Sequence, residues 1–300
     1  MENCRVEELS KYLKKTAEKI NGYLVGYLEQ KKDAPPIIIE AMRYSVFAGG
    51  KRLRPILTLA TAEMLGGKDS YRNAIPAACA IEMIHTYSLI HDDLPCMDND
   101  DYRRGQLTNH KKFGENIAVL AGDALLTHAF YIISKYSEPQ FTAKLVELLS
   151  YYSGIDGMLG GQVLDVINEN KEIDNIEIVQ NIHLKKTAAL IKCSILLGAV
   201  CGYADKKTLK ILENFGENIG LAFQIVDDIL DLTETTEQLG KPAGSDLKKK
   251  KSTYPAIIGI ENSKKLAYEL LEKSKKLLTK LEFNTELLAQ IAELLVNRNK

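Results

Sequence analysis

The sequence predicts an all-α fold in a single domain, and three observations predict it. Apolar residues recur with helical spacing from end to end, alternating β patterns are absent, and long stretches are dominated by Ala, Leu, Ile, Glu and Lys. Helices are expected near 5–31, ended by Asp33-Ala-Pro-Pro36, and near 36–48, with Pro36 at the start. A third runs over 55–65 up to Gly66-Gly67, and a fourth over 73–93 into an aspartate-rich stretch containing Pro95. After the break from Pro95 to Gly114 come 116–135, 140–167, 175–203 and 207–234, and beyond the Gly240–Pro255 break come 253–279 and 284–297. No linker or shift of composition divides these segments, so residues 1–300 are expected to pack around one interior.

Composition excludes several classes of function. Of 300 residues, 39 are basic and 40 acidic, and the net charge of -1 gives no bulk attraction to nucleic acid or an anionic membrane. Five cysteines at 4, 79, 96, 193 and 201 form no C-x-x-C pair, which argues against a zinc site or a disulfide framework and for a reducing, cytoplasmic location. The N-terminus lacks the apolar core of a signal peptide, and the longest uncharged apolar stretch, Cys193 to Ala204, is too short to span a bilayer. A soluble protein without stable membrane insertion is expected.

Two segments repeat one theme. Each runs as an apolar helix into carboxylates, His91-Asp-Asp-Leu-Pro-Cys-Met-Asp98 in the first and Asp227-Asp-Ile-Leu-Asp231 in the second. Carboxylates at a helix C-terminus oppose the macrodipole unless a cation is bound. Ala78, Ile81, His85, Ser88 and Asp92 share one helical stripe, and Gly216, Gly220, Gln224, Asp227 and Asp231 share another; both read as walls of a cavity. Gly220 costs about 1 kcal/mol relative to Ala inside a helix, which calls for ligand room or close helix approach. Hard oxygen donors of this kind suit Mg²⁺, which takes one or two carboxylates, waters and phosphate oxygens.

A diphosphate bridged by such ions also needs cations and donors. Gly49-Gly-Lys-Arg-Leu-Arg-Pro55 offers Lys51 and Arg54, Arg103-Arg104 follows the first aspartate cluster, and Lys185-Lys186-Thr187 opens an otherwise apolar helix. Lys241 and the run Lys248–Lys251 follow the second cluster. The glycines of Gly160-Gly-Gln-Val-Leu-Asp165 fit either a site or close helix packing.

GGKRLRP, HTYSLIHDDLPCMDNDDYRRGQLTNH, AGDALL, GGQVLD, KKTAAL and FQIVDDILD followed by GKPAGSDLKKKKSTYP, in this order, resemble the trans-isoprenyl diphosphate synthases, most closely the bacterial farnesyl diphosphate synthases. The resemblance covers about residues 40 to 256. It implies an orthogonal bundle around a deep central cavity and a homodimer. It places Mg²⁺, three ions per site, on Asp92, Asp98 and Asp227, with Asp93, Asp228 and Asp231 in support. Arg103, Lys186, Gln224 and Lys241 match the allylic side, Lys51, Arg54, His85 and Arg104 match the isopentenyl diphosphate side, and Thr187 matches the reacting centre. The implied substrates are isopentenyl diphosphate and short allylic diphosphates, joined by ionisation, condensation and proton loss. No motif position is degraded, which disfavours a non-catalytic partner subunit; the absence of Trp disfavours a terpene cyclase.

Ideal helix geometry does not align Asp92 with Asp98, so Pro95 is expected to bend the chain between them. Ser88 and Tyr87 lie about 6 and 7.5 Å below Asp92 along the axis, at the depth of a growing prenyl tail. Ser88 is about 40° from Asp92 around the helix and Tyr87 about 140°, so Tyr87 needs its neighbours to act as a floor. In resembling enzymes an aromatic here accompanies a C15 product and a small residue a C20 product, and farnesyl diphosphate is favoured over geranylgeranyl diphosphate.

Overall fold

A computed structural model describes residues 2–29, 33–169, 171, 173–233 and 253–297, and helices dominate it. Four come first: α1 (Glu2–Tyr27), α2 (Pro36–Val46), α3 (Leu53–Asn73) and α4 (Ile75–Asp92). A short hairpin, β1 (Tyr102–Arg103) and β2 (Gln106–Leu107), leads into α5 (Asn109–Phe113), α6 (Glu115–Tyr136), α7 (Pro139–Ser153) and α8 (Met158–Asn168). Then follow α9 (Ile176–His183), a π-turn (Leu184–Ala188), α10 (Ala189–Cys201) and α11 (Lys206–Thr233). The chain closes with α12 (Tyr254–Ile258), α13 (Ile260–Leu278) and α14 (Glu286–Val296).

Helices apolar on every side belong in the middle. α4 and α10 are of this kind, with Ala77, Ala78, Ile81, Met83 and Ile84 of α4 and Ile191, Ile195, Leu197 and Ala199 of α10 fully buried. α4 packs against α6, α3 and α10, while α10 packs against α3, α11 and α7. Gly198 makes the α10–α3 contact possible, because a Cβ there would lie 2.2 Å from the Thr58 carbonyl oxygen. α11 serves two cores: Leu212, Phe215 and Ile219 join the central one, and Leu221, Ala222, Ile225 and Ile229 pack with Tyr254, Ala267 and Leu270 in a smaller one.

Four segments differ from the sequence-based expectation. The helix expected over 140–167 is broken: Gly157 adopts φ -118 and ψ -129, and a Cβ there would lie 2.0 Å from the Tyr152 carbonyl oxygen. The helix expected over 253–279 is interrupted at Gly259, whose φ of 80 suits glycine. Gly66 and Gly67 do leave helical geometry, but the helix resumes to Asn73. The stretch expected only as a break carries the hairpin, whose turn has positive φ at both Arg104 and Gly105, as a type I′ turn requires.

Candidate active site

At the C-terminal end of α4 the chain folds back as Pro95 predicts. The Asp98 N–H donates to the Asp92 carbonyl at 2.8 Å, and the Met97 and Asn99 N–H groups donate to the Leu94 carbonyl at 2.9 and 3.1 Å. This turn brings Asp98 back to the last turn of α4. Burial pushes the Asp92 carboxyl up to about 6; Lys186 draws it down, and the neighbouring Asp98 charge raises it further. Two carboxylates gathered at the negative end of a helix form a site that favours a cation. Among the described residues no three His, Cys, Asp or Glu side chains close into a metal cage. Hard carboxylate oxygens suit Mg²⁺, which keeps waters and takes substrate phosphate oxygens.

The first motif also holds its own arginine. The Arg103 Nε donates to both oxygens of Asp93, at 2.8 and 2.9 Å, and its Nη2 donates to Oδ1 at 2.5 Å. Asp93 is 3% exposed, so its carboxylate fixes Arg103 beside Asp92. The adjacent Arg104 points elsewhere and donates from Nη1 to the Gly49 carbonyl. A Cβ on Gly50, where φ is 113, would lie 2.6 Å from that nitrogen, so the glycine pair is the bed for Arg104. Arg54 and His85 line the cavity below. Burial, then the charges of Arg54, Arg104, Arg103 and Arg52, hold the His85 imidazole well below its ordinary pKa. With Arg103 paired to Asp93 and Arg52 to Glu82, the positive field beside the ring that suits an anion comes from Arg54 and Arg104.

Lys51 is exposed ahead of α3 and is not among the residues lining the cavity. Its neighbour Arg52, not singled out from sequence, is 3% exposed and donates to Glu82 Oε1 at 2.8 Å, Asn21 Oδ1 at 2.8 Å and the Val46 carbonyl at 2.6 Å. This is a structural ion pair that ties α3 to α4 and to α1.

Facing the aspartates is the π-turn between α9 and α10, a one-turn widening often found at functional sites. It presents Lys186 and Thr187 to the cavity. The Lys186 Nζ donates to Asp165 Oδ2 at 2.6 Å. Asp228 accepts from the Gln224 Nε2 at 3.0 Å and from the Tyr254 N–H at 3.2 Å, with the His183 Nε2 3.6 Å away. Because a carboxylate only accepts, the Gln224 amide nitrogen faces Asp228 and its oxygen faces Thr187, whose hydroxyl donates to it at 2.6 Å. Asp227 lies half-buried three residues beyond Gln224, on the same side of α11. Asp165, His183 and Tyr254 were not picked out as site residues from sequence; Asp165 within the GGQVLD motif carried the available signal. Lys241 lies outside the described residues.

The glycine stripes are packing devices. A Cβ on Gly216 would lie 2.8 Å from the Lys192 Cα, and one on Gly220 would lie 2.6 Å from the Ala188 Cα, so both let α11 approach α10 and the π-turn. This corrects the reading of that stripe as a cavity wall. A Cβ on Gly161 would lie 2.1 Å from the Lys186 backbone nitrogen, which lets α8 pack on the π-turn. On α4, Ala78 and Ile81 are core, and the cavity begins at His85.

The cavity has a volume of about 390 Å³. Tyr87 and Ser88 both line it, with Leu94, Met97, Val119 and Leu159 adding apolar wall. Tyr87 is 6% exposed and stands in a T-shaped arrangement with His91, ring centroids 5.7 Å apart. The Ser88 hydroxyl donates to the His85 carbonyl at 2.9 Å.

The chain is similar to known proteins over nearly its whole length. Residues 35–290 match the family model described as polyprenyl synthetase. A geranylgeranyl diphosphate synthase of Cyanophora paradoxa is 45% identical over 295 residues, covering 93% of this chain and 98% of that protein. The farnesyl diphosphate synthase of Bacillus subtilis (strain 168) is 42% identical over 296 residues, covering 97% and 99%. The crystal structure of a geranyltransferase from Helicobacter pylori, complexed with magnesium and isoprenyl diphosphate, superposes with a TM-score of 0.84 at 37% identity, covering 97% of this chain and 96% of that one. With an acidic pair facing a Lys–Thr turn over an apolar cavity in an all-α bundle, and this likeness, the chain belongs to the polyprenyl synthetase family of prenyltransferases.

Proposed function

We propose that this chain condenses isopentenyl diphosphate with dimethylallyl and geranyl diphosphate to give (2E,6E)-farnesyl diphosphate, with Mg²⁺ held by Asp92, Asp98 and Asp227. The observation that carries the reading is the Asp92–Asp98 pair at the mouth of an apolar cavity that Tyr87 lines below. Support for magnesium comes from the hard carboxylate oxygens of Asp92 and Asp98 and from the magnesium in the Helicobacter structure. When bound, the ions supply Lewis-acid and electrostatic stabilisation of a departing diphosphate.

The protein's own groups divide the remaining work. Lys186 adds positive charge opposite Asp92 for the allylic diphosphate, while Arg54, His85 and Arg104 offer donors and field to the isopentenyl diphosphate. Breaking the allylic C–O bond leaves a carbocation. The Thr187 hydroxyl donates its proton to Gln224, so its oxygen lone pairs are free to face that positive charge. The isopentenyl double bond attacks, forming the new C–C bond, and loss of a C2 proton to the diphosphate restores a double bond. The apolar wall of Met97, Val119, Met158, Leu159 and Leu190 keeps water from quenching the cation.

A C20 product is the second reading, favoured by the small Ser88 in the wall and by the similarity to geranylgeranyl diphosphate synthases. A homodimer is part of the proposal, supported by the exposed apolar side chains Leu120 of α6 and Leu159, Val163 and Val166 of α8. So is a reducing cytoplasm, supported by the free, buried thiols of Cys79, Cys193 and Cys201.

Chromatography of products from purified protein with Mg²⁺, isopentenyl diphosphate and either dimethylallyl or geranyl diphosphate tests the reading. C15 is expected, and C20 moves the floor deeper. Cyclic hydrocarbon, or condensation unchanged in both Asp92→Ala and Asp227→Ala, overturns it.

A further inference from the structure

His91 lies between two features of the cavity that the reaction itself does not use. Its imidazole occupies a notch on α6, where a Cβ on Gly122 would lie 2.1 Å from Nε2, 2.5 Å from Cδ2 and 2.8 Å from Cε1. Inside the notch Nε2 donates to the Val119 carbonyl at 3.1 Å, with the Asp123 carboxylate 3.9 Å away. On its other side the ring meets Tyr87, one helical turn earlier on α4, at a centroid distance of 5.7 Å and an interplanar angle of 76°. His91, Tyr87 and Val119 all line the cavity.

A side chain so held is a strut between two helices. Tyr87 sits on α4 about 140° around from Asp92, so its ring stays at the cavity only if something braces it there. From this geometry we infer that His91, seated in the Gly122 notch, is a positioning residue for product length, bracing Tyr87 as the floor that stops the growing tail. The inference rests on the condensation proposed above. Loss of the imidazole removes a piece of the wall and releases one side of the Tyr87 ring, so the tail gains depth.

The experiment measures the ratio of C20 to C15 product for the wild type, His91→Ala, Gly122→Ala and the double variant, with Mg²⁺, isopentenyl diphosphate and geranyl diphosphate. His91→Ala should raise the ratio by about threefold to tenfold, the factor that one aromatic edge contact is worth. Gly122→Ala expels a ring at the end of a flexible side chain, so the fold survives. It should change the ratio in the wild-type background and leave that of His91→Ala nearly unaltered, because the notch is then empty. A ratio unmoved by His91→Ala while turnover falls would mean that the strut only steadies Asp92, and would overturn the inference. Equal effects of Gly122→Ala in both backgrounds would overturn it too. Should His91→Ala fail to fold, Gly122→Ala alone decides by whether the ratio moves. Wild-type protein that does not condense at all removes the prenyltransferase reading and this inference with it, whereas condensation with unmoved ratios removes this inference alone.

Discussion

Replacing Gly161 by alanine places a methyl group where the backbone of the π-turn already lies. The new Cβ would be 2.1 Å from the Lys186 nitrogen, 2.6 Å from its Cα and 2.7 Å from the Lys185 carbonyl carbon. These are backbone atoms, so no side-chain rotation relieves the clash. Ordinary contact begins at 3.4 Å, and the turn has to retreat by roughly 1.3 Å from α8. Overpacking of this kind costs about 1–3 kcal/mol of stability. The larger effect falls on catalysis, because Lys186 and Thr187 ride on the displaced turn, and a misplacement of about 1 Å lowers turnover on the order of 10²-fold. Gly22→Ala is the control: it lies inside α1 with nothing within 4 Å of the added Cβ, and should stabilise the protein by about 0.5–1 kcal/mol with turnover unchanged. Steady-state condensation rates and urea midpoints read both effects. Wild-type turnover in Gly161→Ala would refute the idea that the close α8 contact sets the position of the Lys–Thr turn.

Three further outcomes follow from the same geometry. Ser88→Phe should shorten the dominant product and Tyr87→Ala lengthen it; product chromatography showing unchanged distributions in both would remove this helix as the ruler. Arg52→Ala leaves Glu82 buried without its partner and should cost about 3–5 kcal/mol by urea denaturation, and a loss below about 1 kcal/mol would show that the pair is well solvated. His85 has a pKa well below that of a free histidine, so between about pH 6.5 and its folded value the unfolded chain binds the extra proton, and this contribution to stability is full above 6.5 and declines as pH falls. Asp92, pushed up to about 6, acts with the opposite sign over its own range, which is why the test compares wild type with His85→Gln. The variant should lose less stability between pH 7 and 5, and equal losses would contradict a neutral, buried His85.

Much of this arrangement is visible in the residues themselves. The helices are legible because apolar spacing of 3.6 follows from burial of one face, and the return of Asp98 to Asp92 is legible because Pro95 cannot continue α4. The break at Gly154–Gly157 escapes the pattern, since a glycine inside a helical run is tolerated and the flanking apolar periodicity stays in phase. The π-turn leaves no mark either, because α10 is apolar on every side and offers no stripe whose rotation of about 100° would reveal the extra residue. Gly216 and Gly220 show a further ambiguity: a missing side chain makes room equally for a ligand or for another helix, and only the position of α10 decides. Arg52 escapes a sequence reading for a related reason. The partners of Arg52 are Glu82 and Asn21, each about 30 residues away in sequence, and no local rule pairs them.

The hydrogen bond from the Asp98 N–H to the Asp92 carbonyl closes a small ring of chain between the two carboxylates. The main chain between them is therefore set when the protein folds, and the cation proposed for this pair would meet a backbone whose conformational entropy is already lost. Burial holds the Asp92 pKa up to about 6, and the neighbouring Asp98 charge raises it in the same direction. A divalent ion held there, as proposed above, would offset both. The loop also carries Cys96 and Met97 to the rim of the cavity, so a residue inserted or removed between Asp92 and Asp98 alters the spacing of the two aspartates and the width of the opening together.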